Sequence, residues 1–480
     1  MDIIFGRNRK EQQEPVRAKV TGKIPAWLQG TLLRNGPGMH TVGESRYNHW
    51  FDGLALLHSF TIRDGEVYYR SKYLRSDTYN ANIEANRIVV SEFGTMAYPD
   101  PCKNIFSKAF SYLSHTIPDF TDNCLINIMK CGEDFYATSE TNYIRKINPQ
   151  TLETLEKVDY RKYVAVNLAT SHPHYDEAGN VLNMGTSIVE KGKTKYVIFK
   201  IPATVPEGKK QGKSPWKHTE VFCSIPSRSL LSPSYYHSFG VTKNYVIFLE
   251  QPFRLDILKM ATAYIRRMSW ASCLAFHREE KTYIHIIDQK TRQPVQTKFY
   301  TDAMVVFHHV NAYEEDGCIV FDVIAYEDNS LYQLFYLANL NQDFKENSRL
   351  TSVPTLRRFA VPLHVDKIIK YDILTKSSLK WREDDCWPAE PLFVPAPGAK
   401  DEDDGVILSA IVSTDPQKLP FLLILDAKSF TELARASVDV DMHMDLHGLF
   451  ITDMDWDTKK QAASEEQRDR VSDCHGAPLT

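Results

Sequence analysis

Apolar and polar positions along most of this chain follow the period of strands. Glu66-Val67-Tyr68-Tyr69-Arg70, Lys195-Tyr196-Val197-Ile198-Phe199, Tyr283-Ile284-His285-Ile286-Ile287 and Phe421-Leu422-Leu423-Ile424-Leu425 are short runs rich in β-branched and aromatic residues. That composition fits a pleated, half-buried surface. Turn dipeptides such as Asp64-Gly65, Gly132-Glu133 and Asp404-Gly405 punctuate the runs as hairpin turns. Many short strands in four-strand packets over several hundred residues predict an all-β fold, a β-propeller rather than a sandwich. No WD or kelch signature is present, so the repeats are divergent. In a propeller the innermost strand of each blade lines the central axis, and residues remote in sequence converge there.

Two stretches break the strand pattern. Residues 96–119 interleave Phe, Tyr and Leu with lysines. Residues 253–276 predict an amphipathic helix, with Leu255, Leu258, Ile265, Met268 and Trp270 set against Lys259, Arg266 and Arg267. Basic residues beside Leu, Trp and Phe suit the headgroup boundary of a membrane, so both stretches are candidate membrane-contacting segments. The alternative is that both pack on the propeller. Residues 1–457 read as one domain, and the polar tail 458–480 has the composition of a disordered segment.

Composition narrows the class. Of 480 residues, 43% are hydrophobic and 25% charged, the balance of a soluble protein with a large core. A net charge of −4 gives no electrostatic case for nucleic acid. The eight cysteines stand singly with no CxxC pair, and no signal peptide or run of roughly 18 apolar residues is visible. Reduced thiols in a cytosolic protein, soluble or lying on a membrane, is the expectation.

The chemistry enters through histidine. In SYYHSFG, His237 precedes a turn and an apolar run, and one such histidine would be a core residue bonded to a carbonyl. The context recurs, however. His172, followed by a turn at 176–180, and His308, followed by a turn at 314–317, both lead into apolar runs, and His447-Gly448-Leu449-Phe450 is a near match. Four equivalent positions raise the question of a metal. Imidazole suits iron, copper, zinc and nickel, and four neutral imidazoles without carboxylate or thiolate do not look like a structural zinc site. On an octahedral ion they would leave two positions open, as an oxygen-activating Fe(II) needs.

The stretch GTLLRNGPGMHTVGESRYNHWFDGLALLHSF (30–60), with ATSHPHYD, SYYHSFG, FHHVNAYE, EDDGVILS, HGLF and the animal marker PDPCK, resembles the carotenoid cleavage oxygenase family, in particular its vertebrate central-cleavage members. The resemblance covers essentially every residue present. It implies a seven-bladed β-propeller with a helical and loop cap over an axial metal. It also implies one Fe(II) on His172, His237, His308 and His447, with His174 and His309 as non-ligands. Of the three glutamates that orient ligands in the family, two are implied at Glu140 and Glu390. Tyr235 and Tyr326 become candidates for stabilising a cationic polyene through their ring faces. The implied activity is oxidative cleavage of β-carotene by O₂ at its central double bond, giving two molecules of retinal. β-Carotene and related apolar polyenes are the expected partners, collected from a transient membrane contact.

The family pattern is interrupted once. At the Lys367-Ile368 join the sequence passes from one family segment to a much later one, leaving out roughly 65 residues, about one and a half four-strand blades. The third glutamate would lie in the absent stretch. An incomplete propeller is therefore expected, with weak iron binding, poor solubility and little retinal formation. A non-catalytic form that binds carotenoid or retinoid without turnover is the alternative, and a retinoid isomerase with the same four histidines is a third reading.

Overall fold

The computed structural model describes residues 2–97, 120–190, 192–204, 214–263, 266–295, 299–315, 318–341, 344–355, 359–360, 367–372, 375 and 377–452. The predicted tail, nearly all of segment 96–119 and the residues just before the join lie outside these.

Antiparallel sheets dominate, and seven of them follow one another in chain order as the blades of a propeller. Their strands form where the sequence pattern places them. Phe421–Asp426, apolar at five consecutive positions, is buried on both faces between neighbouring blades. Glu66–Tyr73 alternates buried and half-buried positions, as a strand with one wet face must. Its hairpin with Leu54–Arg63 turns on Asp64 and Gly65, both with positive φ (52° and 77°), the conformation the Asp-Gly signal predicts.

The first blade is closed from both ends of the chain. Gly448–Thr452 pairs with Gly30–Met39 inside a five-stranded sheet. Near the N-terminus, Lys19–Gly22 pairs with Glu432–Ser437 of the last blade. The second, third and fourth blades contain four or five strands each, and the seventh contains six. The fifth and sixth are short. Val305–Glu315 pairs with Cys318–Tyr326 as a two-stranded sheet, and Phe359–Ala360, Lys367–Asp372 and Ser377–Arg382 form a three-stranded one. The join lies inside the middle strand of the three-stranded sheet, and the two-stranded sheet precedes it in the chain. The sixth sheet packs on the seventh through Ile368 and Trp381. Short helices at Ser330–Leu334 and Leu337–Asn341 join the fifth blade, the seventh blade and the N-terminal Phe5 into one core.

Residues 253–276 are not a continuous helix. Phe253–Leu255 and Leu274–Phe276 pair as strands, around a six-residue helix at Ile257–Thr262 and a 3₁₀ turn at Trp270–Cys273. Two local features override the helical period. Asp256 caps the short helix by accepting from the Lys259 N–H at 2.8 Å, and Arg267 takes a left-handed φ of 55° that no helix continues through.

Candidate metal centre and its cavity

All four singled-out histidines sit where an innermost strand is broken or bulged. His172 lies between the two-residue strands Leu168–Ala169 and His174–Tyr175, which pair with the same partner strand. His237 comes just before Gly240–Val241. His308 is inside Val305–Glu315, where the register shifts on both sides of His309. His447 directly precedes Gly448–Thr452. The glycine after it is required, because a Cβ there would stand 1.9 Å from the Leu33 carbonyl oxygen.

The breaks aim the four side chains at one point. Nε2 of His172 is 2.8 Å from Nε2 of His237, which is 3.2 Å from Nε2 of His308. One nitrogen from each of the four lies within 4.8 Å of the others. Burial, reinforced by the neighbouring imidazoles, pushes His172 and His308 well below the ordinary histidine range. They stay neutral, as ligation requires.

Second partners fix two of the rings. His237 donates from Nδ1 to Glu140 Oε1 at 2.5 Å, which leaves Nε2 a free lone pair. The other oxygen of Glu140 accepts from the Tyr235 hydroxyl at 2.7 Å. His447 donates from Nδ1 to Glu390 Oε1 at 3.0 Å. Burial works against charge on Glu390, but His447 and Arg34 hold its carboxyl below the usual range. His308 has no carboxylate partner among the described residues. His174 and His309 point elsewhere: His174 Nε2 bonds the Phe239 carbonyl at 2.8 Å, and His309 Nδ1 bonds the Ser238 hydroxyl at 3.2 Å.

A cavity of about 180 Å³ reaches the cluster and is lined mainly by apolar and aromatic side chains, among them Phe51, Phe93, Trp270, Phe307 and Tyr332. Tyr235 lines it, whereas Tyr326 stands one layer back against the Phe307 ring, centroids 5.5 Å apart. The donor set fits a six-coordinate ion that takes nitrogen ligands and keeps open positions facing this space.

Sequence reasoning missed three residues that shape the site. Arg34, 1% exposed, donates to Glu390 Oε2 at 3.2 Å, to Asp445 Oδ1 at 2.6 Å and to the Leu446 carbonyl at 2.5 Å. It thereby ties Glu390 to the segment that carries His447. Tyr332 stacks on Phe307 at 4.8 Å, and Glu92 is a carboxyl in the cavity wall. Arg34 does lie inside the 30–60 stretch, the one signal that could have flagged it.

Comparisons with known proteins identify the family. The family model described as retinal pigment epithelial membrane protein matches residues 5–367 and 360–452, two stretches that meet at the join. The beta,beta-carotene 15,15'-dioxygenase of Homo sapiens is 87% identical over 547 aligned positions, covering 100% of both chains. The 480 residues of this chain leave 547 − 480 = 67 of those positions unfilled, so few of the aligned residues differ. The same-named protein of Gallus gallus is 62% identical over 95% of this chain and 99% of its own. Cobalt-substituted Synechocystis ACO shares the fold, with a TM-score of 0.72 at 22% identity over 94% of this chain and 98% of that one. Matched by the family model on both sides of the join and by close relatives along its whole length, the chain belongs to the retinal pigment epithelial membrane protein family of carotenoid oxygenases.

Proposed function

We propose that this chain is an Fe(II)-dependent dioxygenase that cleaves the central double bond of β-carotene with O₂, forming two molecules of retinal. The observation that carries the chemistry is the convergence of four imidazoles at an aromatic-walled cavity. The substrate follows from the relative 87% identical to it. His172, His237, His308 and His447 would hold Fe(II), which when bound supplies O₂ binding and activation. The remaining work falls to the chain's own residues. Phe51, Phe93, Phe307 and Trp270 bind the apolar polyene and keep water from it. Tyr235 turns its ring to the cavity while its hydroxyl is held by Glu140, so its face can stabilise positive charge on the polyene by about 0.5–2 kcal/mol. Tyr326 would act only through Phe307.

The test is iron per chain and retinal formed from β-carotene, in the parent and in His237→Ala. Loss of both in the variant is expected. A variant that keeps stoichiometric iron would sink the ligand assignment. A second reading, binding without turnover, is favoured by the short fifth and sixth sheets and by the absence of a carboxylate at His308 among the described residues. Protein that binds β-carotene and, fully loaded with iron, still forms no retinal would establish it.

A cytosolic protein that touches membranes fits the rest. Cys124, Cys131, Cys223, Cys273 and Cys386 are all free, as in a reducing compartment. Among the described residues, no helix is long and apolar enough to cross a membrane. Leu258, 61% exposed beside Lys259, and the exposed Leu230 and Leu231 sit together, since the Ile257 N–H bonds the Leu231 carbonyl. Such a patch suits the headgroup boundary. Changing Leu230, Leu231 and Leu258 to Ser should abolish liposome flotation, and unchanged partitioning would refute the contact.

A further inference from the structure

Glu92 is a buried carboxyl in the wall of a mainly apolar cavity, away from the histidine–glutamate pairs. It is 3% exposed, yet it lines the same space as His237, His308 and His447. One of its oxygens, Oε1, stands 2.6 Å from the Thr121 hydroxyl, and among the described residues Oε2 has no hydrogen-bond partner.

Counting protons along the contacts behind Glu92 decides its state. Asp122 accepts from Arg145 Nε at 2.8 Å and Nη2 at 2.5 Å and from two backbone N–H groups, so both its oxygens face donors and act as acceptors. The Thr78 hydroxyl, 3.0 Å from Asp122 Oδ1, must donate to it. Thr78 and Thr121 hydroxyls are 2.9 Å apart, and Thr78 has no second proton, so Thr121 donates to Thr78. Thr121 also accepts from the Asn123 N–H at 3.0 Å. The 2.6 Å contact with Glu92 then needs its proton from Glu92. Burial, with the Asp52 and Asp122 carboxylates nearby, pushes Glu92 well above the usual carboxyl range in agreement with this count. Glu92 therefore keeps Oε1–H turned to Thr121 and presents Oε2 to the cavity as a carbonyl, an acceptor without a donor.

We propose that Glu92 is a specificity residue that selects, among polyenes, those carrying a hydroxyl group able to donate to Oε2. The proposal rests on the cavity being a polyene site, as above. Its chemistry is shared by two sources, the ring hydroxyl of an oxygenated carotenoid and the chain-end hydroxyl of a retinoid. An aldehyde, which only accepts, gains nothing there, and a hydrocarbon ring leaves the acceptor unpaired.

Binding to the full chain tests this, read by quenching of tryptophan fluorescence, since Trp270 lines the cavity. The probes are retinol against retinal, and singly ring-hydroxylated β-carotene against β-carotene. In the parent one or both hydroxyl forms should bind about two- to tenfold tighter, and the pair that shows it identifies the source. Glu92→Leu should erase that preference. Glu92→Gln should keep it, because its amide N–H can donate to Thr121 and leave C=O facing the cavity. If Glu92→Leu does not fold, Thr121→Val takes its place. It frees the Glu92 proton for the cavity and should move the ratio toward the aldehyde. The proposal is overturned by a parent that binds β-carotene but shows no preference in either pair. A preference that survives in Glu92→Leu, a Glu92→Gln that loses it as fully as Leu, or an unmoved Thr121→Val ratio does the same. A parent that binds no polyene at all removes the cavity reading and this proposal with it.

Discussion

Arg34 makes four charge-assisted bonds while 1% exposed, and no local pattern announces it. Its partners Glu390 and Asp445 lie 356 and 411 residues away. The histidines were legible because each carries its own turn-and-strand context, whereas a buried arginine is defined only by what the fold brings to it. Arg34→Met should cost about 3–5 kcal/mol in urea unfolding, because Asp445 and Glu390 lose their countercharge in a buried setting. Arg34→Lys should recover only part, since an ammonium cannot reproduce the fork that spans Asp445 and Glu390. The Tyr235 pair of substitutions separates its two contacts. Tyr235→Phe keeps the ring and drops the bond to Glu140, so iron affinity should fall while turnover of loaded protein holds. Tyr235→Leu should lower both, and equal turnover in the two variants would remove the ring from the mechanism.

At the scale of elements, strands with a period of two were legible because burial on one face or both follows directly from their place in a blade. The 253–276 stretch was not, since a helical spacing of Leu, Met and Trp says nothing of the Asp256 cap or the left-handed Arg267 that divide it. A further joint between elements is a neutral chain of bonds. The Tyr69 hydroxyl donates to His58 Nδ1 at 2.7 Å and His58 Nε2 donates to His443 Nε2 at 2.6 Å. His443 Nδ1 then donates to the Met444 carbonyl at 2.7 Å, so the chain links the first blade to the segment leading to the last strand. Burial lowers both histidines, His443 from 6.5 to about 3 and His58 well below its usual range. From 6.5 down to about 3 the unfolded chain takes up protons that folded His443 refuses, so stability falls as pH drops through that window. Asp52, pushed up to about 7 by burial, acts in the opposite sense, and the comparison is therefore of variant against parent. His58→Phe with His443→Leu should lose less of its urea midpoint than the parent between about pH 7.5 and about pH 5, and an equal loss would clear the pair of this role.

For the whole molecule, the propeller was legible from strand count and turn spacing, while the join was visible only against the family. The four histidines converge despite the two short sheets, because His172, His237 and His308 precede the join and His447 is brought back by the Gly448–Thr452 pairing. Next to the join stand two short sheets, and among the described residues His308 has no carboxylate partner. A chain carrying the 67 additional positions should hold iron about 10–100-fold tighter and elute as a monomer where this one associates. Equal iron affinity and equal elution would show that the fifth and sixth sheets suffice. The double clasp between the ends has its own consequence during synthesis. Gly30–Met39 and Lys19–Gly22 leave the ribosome early, yet their partners at Gly448–Thr452 and Glu432–Ser437 are among the last described residues to be made. The first blade must wait open for nearly the entire time of translation, and the fourth histidine of the cluster arrives with the strand that closes it. The four-histidine cluster is therefore complete only once that last strand has docked, so closing the ring and assembling the cluster are one event.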